Sequence, residues 1–134
     1  DVPDPFNQIV YDSKGNIVKM EDDGGFCYEP NEIVESHHLR SSFLFRKSAV
    51  EKAGMHPIEY GGTGYREESD LCIRLAYAGY KMFTDTSAIA WHVRCLSGGA
   101  RMTDYGQRIA MNDKHFHRKF KRMFLQKGNP YESI

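Results

Sequence analysis

Tyr65-Arg66-Glu67-Glu68-Ser69-Asp70-Leu71-Cys72-Ile73-Arg74-Leu75, directly after Gly61-Gly62-Thr63-Gly64, is the stretch that decides how this chain folds. From about Glu67 to Ala78 the pattern is helical: Leu71, Leu75 and Ala78 share one face, Cys72 and Ala76 lie beside it, and Gly79 supplies the stop. The first turn of that helix carries Glu67, Glu68 and Asp70. One acid there complements the positive end of the helix dipole, but three repel one another unless a cation, a basic side chain or a substrate hydroxyl relieves them. The cluster is a candidate for chemistry. The structural alternative is that all three carboxylates cap the helix and pair with Arg66 or Arg74.

Outward toward the N-terminus, Leu39 to Phe45 alternates Leu39, Ser41, Phe43 and Phe45 against Arg40, Ser42 and Leu44, which predicts a strand. Ser48 to Lys52 predicts a brief helix stopped at Gly54. Further out, Ile9-Val10-Tyr11 and Ile17-Val18-Lys19-Met20 flank Asp12-Ser13-Lys14-Gly15-Asn16, whose glycine and asparagine suit a tight turn, and so predict a hairpin. Toward the C-terminus, Tyr80 to Thr84 and Ala88 to His92 read as strands joined by Asp85-Thr86-Ser87, which places His92 at a strand end. Beyond the polar loop Leu96 to Ala100, Ile109, Phe116, Phe120 and Phe124 recur near helical spacing and predict a helix from about Tyr105 to Phe124. Helices interleaved with strands predict an α/β fold in which the 67–78 helix packs on a sheet, and open α/β sheets gather their sites at one edge.

With 134 residues, 40% of them hydrophobic, the chain can bury one modest core. Eighteen basic and eighteen acidic residues leave no net charge, so nothing global argues for a nucleic-acid partner. The charge is polarised along the chain, however, with acids early (Asp12, Glu21, Asp22, Asp23, Glu35) and bases late (Arg108, Lys114, Arg118, Lys119, Lys121, Arg122, Lys127). The stretch from Lys114 to Arg122 is read as the wet side of a terminal helix, in preference to a face for anionic lipid headgroups or a lipid-diphosphate acceptor. His37-His38 and His115-Phe116-His117 are read as solvated rather than metal-binding. Cys27, Cys72 and Cys95 are odd in number and lack zinc-ribbon spacing, which fits a reducing, cytoplasmic setting or the cytoplasmic face of a membrane. No apolar run is long enough to cross a bilayer. The opening Asp1-Val2-Pro3-Asp4-Pro5 carries no initiator Met, as expected of a processed product or an excised piece of a longer protein.

The segments Leu39-Arg40-Ser41-Ser42-Phe43-Leu44-Phe45-Arg46-Lys47-Ser48-Ala49-Val50-Glu51-Lys52-Ala53-Gly54, Glu67 to Leu75, Ala78-Gly79-Tyr80-Lys81 and Ala90-Trp91-His92 resemble, in order and spacing, the C-terminal half of family 2 glycosyltransferases of the GT-A fold. The resemblance spans about Leu39 to His92. It implies the C-terminal part of a mixed sheet flanked by helices; the chain itself is read as a single unit of a hairpin with an acidic loop (1–35), a motif-bearing core (36–100) and a basic helical segment (101–134). It also implies transfer, with inversion, from a nucleotide-diphosphate sugar to the hydroxyl of a saccharide or lipid-linked acceptor. Glu68 stands where the general base is found, with Glu67 or Asp70 as alternatives, because the family more often carries Asp at this position. The extra methylene of Glu68 displaces the carboxylate by on the order of 1 Å.

By the same resemblance, His92 would help to hold a divalent cation, Mn²⁺ or Mg²⁺, against the donor diphosphate. Arg94 and Arg101 would lie near that diphosphate, and Tyr65, Trp91 and Gly62 near the acceptor. The family's nucleotide-binding N-terminal portion and its D-x-D motif have no counterpart here, so a partner half is implied, one that would also share the cation. Alone, the chain is expected to be an inactive fragment. Two other readings stand beside this one: a non-catalytic carbohydrate-binding or interaction module derived from the same half-domain, and a metal-dependent hydrolase using the same carboxylates.

Overall fold

Asp12 organises the first element. Its carboxylate accepts hydrogen bonds from the backbone N–H of Lys14 (2.9 Å) and Asn16 (2.8 Å) and from the Asn16 side chain (2.8 Å). Gly15 adopts the left-handed φ of +76° that the turn requires. This closes an antiparallel hairpin of β1 (Ile9–Tyr11) and β2 (Ile17–Met20), with Ile9 opposite Met20 and a register irregularity between Val10 and Tyr11. The computed structural model describes residues 5–21, 31–39, 43–60, 65–89 and 104–132. The remaining elements follow in the order β3 (Ile33–Ser36), α1 (Lys47–Lys52), α2 (Glu67–Tyr77), β4 (Met82–Asp85) and α3 (Tyr105–Lys127).

β3 pairs antiparallel with β4, Ile33 opposite Asp85 and Ser36 opposite Met82. Phe6 adds a single parallel bridge to Ser36. The described residues therefore form a mixed α/β structure with two small antiparallel sheets and a long C-terminal helix. α2 does not lie on a broad sheet. Leu71 and Leu75 pack with Ala49 and Val50 of α1, while Ile73 meets Ile9 of the hairpin, Tyr60, and Phe116 and Phe120 of α3. Full burial of a side chain such as Phe116 or Phe120 contributes about 1.5–3 kcal/mol, and these two pin the C-terminal helix to the core.

The hairpin, α1, α2 and α3 match the sequence-based expectations to within a few residues. The strands do not. Phe43 to Phe45, expected in a strand from Leu39, are irregular, Leu44 is fully exposed, and the Leu39 N–H donates to Cys72 Sγ (3.3 Å) instead of to a neighbouring strand. The strand pairs form elsewhere, because β3, which crosses the expected 35–36 division, supplies the partner for β4. β4 begins at Met82 and not at Tyr80, whose N–H is committed to the Leu75 carbonyl (3.0 Å) at the end of α2. Ala88 and Ile89 are not in a strand: Asp85 Oδ1 accepts from Ser87 N–H (2.9 Å) and Oγ (2.5 Å), a local turn that ends the extended run. The rest of that expected strand, 90–92, lies outside the described residues.

His37 and His38 are buried, contrary to the solvated reading. His37 stacks on Tyr131 (ring centroids 3.9 Å apart), and its Nδ1 lies 3.0 Å from Ile9 N and 3.1 Å from Ile9 O. His38 Nε2 lies 2.8 Å from the Glu21 carbonyl. Each ring satisfies backbone groups where the N-terminal segment meets β3. His115 and His117 are partly exposed, near Glu59 and Asp113 respectively.

Candidate functional site

The three acids at the start of α2 have separate environments. Asp70 is fully buried. Its Oδ1 accepts from Arg74 Nε (2.5 Å), and its Oδ2 accepts from Tyr60 Oη (2.6 Å) and Lys119 Nζ (2.6 Å). Arg74 continues to the Ala53 carbonyl at the end of α1 (2.5 Å), and Lys119 also binds Glu59 (2.7 Å). Burial, reinforced by the bond to Asp70, pushes the Tyr60 hydroxyl well above its ordinary pKa, so Tyr60 stays a donor. Asp70 is thus the centre of an ion cluster joining α1, α2 and α3.

Glu67 is also buried, at 8% exposure. Glu68 is half-buried and, among the described residues, has no hydrogen-bond or ion-pair partner. It stands one turn before Cys72, whose thiol burial pushes up to about 11, with the charge of Glu68 adding to the effect. Because the Leu39 N–H reaches Cys72 Sγ, Leu39 touches α2 one turn beyond Glu68.

Arg66, an expected partner for these acids, points elsewhere. It occupies the N-cap position with a left-handed φ of 78° and makes no side-chain cap. Its guanidinium binds Asp113 through Nε (2.8 Å) and Nη2 (2.5 Å) and lies 4.9 Å from the ring centroids of both Tyr65 and Phe116. The neighbouring Asn112 donates to the Tyr60 carbonyl (2.8 Å) and reaches the Tyr65 carbonyl (3.4 Å). Adjacent residues of α3 therefore brace both ends of the segment leading into α2. Tyr65 is half-buried, with one ring face taken by Arg66.

Gly62, Trp91, His92, Arg94 and Arg101 lie outside the described residues, as do Cys27 and Cys95. Among the described residues, no group of three His, Cys, Asp or Glu is arranged to hold a metal ion. No described helix is long and apolar enough to cross a membrane. The sequence reading missed Asn112, Asp113 and Lys119. A signal was present: Asn112 occupies the core-facing register of Ile109, Phe116 and Phe120, where a polar side chain must find a buried partner. No family model, no curated protein and no solved structure matches the chain. The likeness to glycosyltransferases accordingly rests on the order and spacing of its motifs.

Proposed function

We propose that this chain is the acceptor-side half of an inverting glycosyltransferase of the GT-A type, with Glu68 as the general base. Glu68 would take the proton from an acceptor hydroxyl as that oxygen attacks the anomeric carbon of a nucleotide-diphosphate sugar held by a separate N-terminal half. One observation carries this choice among the three acids: Asp70 is committed to Tyr60, Arg74 and Lys119 and Glu67 is buried, whereas Glu68 is partly exposed at the helix start and has no partner among the described residues. A base must lie within reach of the proton it takes, and Glu68 stands in the first turn of α2.

A divalent cation would supply Lewis-acid stabilisation of the departing diphosphate. The described residues do not complete a ligand set, so the assignment of Glu68 involves no step through a metal. Asn112, Arg66 and Asp113 would act as positioning residues, fixing the approach to α2 from α3.

The test is Glu68→Gln in the full-length enzyme, assayed for sugar transfer with and without acceptor. Loss of a general base should lower kcat by about 10²- to 10⁴-fold while stability is retained. Transfer within a few-fold of wild type would remove Glu68 from the role. Saccharide binding that ignores both metal and donor, even with the N-terminal half supplied, would favour the binding-module reading. Turnover unaffected by acceptor would favour the hydrolase.

A further inference from the structure

We infer that the outward face of α3 is a contact surface for an anionic lipid bilayer. Met111, Lys114, Arg118, Lys121, Arg122 and Leu125 all lie within an arc of about 100° on this helix, at about 100° of rotation per residue. All six are exposed. The opposite side is anchored by Phe116 and Phe120, both fully buried, so the arc is held outward by the core. Lys119, the base expected on the wet side, turns inward to Asp70 and Glu59 and is not part of the arc.

No carboxylate lies on the arc between Met111 and Leu125. The acids that pair around α3 are engaged away from the arc, Asp104 with Arg108, Asp113 with Arg66, and both Glu59 and Asp70 with Lys119. Lys121 reaches Asn16 in the hairpin turn (2.8 Å), with Asp12 nearby. Lys114, Arg118 and Arg122 have no hydrogen-bond or ion-pair partner among the described residues. Three uncompensated cations about a turn apart form a straight row along a rigid helix, complementary to a plane of negative headgroups.

The two ends of the row favour lipid over nucleic acid. Met111 is 71% exposed and Leu125 67%, and they are about 21 Å apart along the axis at about 1.5 Å per residue. Apolar side chains in this position enter the headgroup boundary while the neighbouring lysine and arginine stems snorkel. The arc carries no aromatic ring on which a base could stack. This surface is independent of glycosyl transfer.

The experiment is co-sedimentation of the full chain with phosphatidylcholine vesicles, with and without phosphatidylglycerol, at low and high salt. Binding is expected only to the anionic vesicles and should weaken with salt. Each cation contributes about five-fold to partitioning, so K114Q/R118Q/R122Q should lose on the order of 100-fold. M111S/L125S should leave a weaker, more salt-sensitive remainder. If the triple variant loses its helical circular dichroism, the single variants R118Q and R122Q, each expected to lose about five-fold, decide the matter. Equal binding to both vesicle types, or no loss in these variants, overturns the proposal. Tighter, equally arc-dependent binding to an oligonucleotide at the same salt would also overturn it, reassigning the arc to nucleic acid.

Discussion

Lys119 Nζ lies 2.6 Å from Asp70 Oδ2, and this contact across 49 positions of sequence ties the C-terminal helix to the start of α2. Asp70 is fully buried and the Lys119 side chain 22% exposed. Removing one partner of a buried ion pair costs about 3–5 kcal/mol, but Arg74 and Tyr60 remain on Asp70, so Lys119→Met should cost about 2 kcal/mol. Denaturant titration of K119M, D70N and the double variant checks this. A coupling energy under about 0.5 kcal/mol would mean that the pair contributes nothing of its own.

Gly15 meets two constraints at once. Its φ is +76°, and a Cβ built there would lie 2.7 Å from Phe124 Cδ1. Gly15→Ala should therefore destabilise by about 2 kcal/mol, roughly half from the left-handed backbone and the rest from the collision. In a Phe124→Ala background only the backbone part, about 1 kcal/mol, should remain. An undiminished penalty there would exclude the collision.

Burial lowers the pKa of His37 from its ordinary 6.5, outweighing the opposing effects of the Ile9 backbone and Glu35. The unfolded chain then binds the proton more readily than the folded one, so stability is full above pH 6.5 and falls as the pH drops toward the folded-state value. Thermal melts of wild type and His37→Gln across this window should show a steeper acid-side decline in the wild type. Parallel curves would place the sensitivity elsewhere.

Cys72 is fully buried, and burial pushes its thiol up to about 11. In a Cys27→Ser/Cys95→Ser variant it should resist a disulfide reagent at neutral pH and react only at the rate of unfolding. Modification within the mixing time would show that Cys72 is reachable from solvent in the folded chain.

Local order is what the sequence made legible. The hairpin at Asp12 to Asn16, the stop of α1 at Gly54, the start and stop of α2 and the apolar stripe of α3 depend on turn chemistry, left-handed glycines and periodicity within a few residues. Strands were less legible because alternation at Leu39 to Phe45 specifies no partner. β3 and β4 pair across the chain, at a separation that no local pattern names.

By itself, then, the sequence determined where helices and the first turn form, and that three acids crowd the start of α2. Tertiary structure alone decided that Asp70 is bound by Lys119 and Tyr60, that Arg66 turns to Asp113, that Glu68 stays half-buried, and that His37 is buried against Tyr131. The physical reason is range. Propensity and capping act over one or two turns of chain, whereas burial and charge pairing depend on which distant segments pack together.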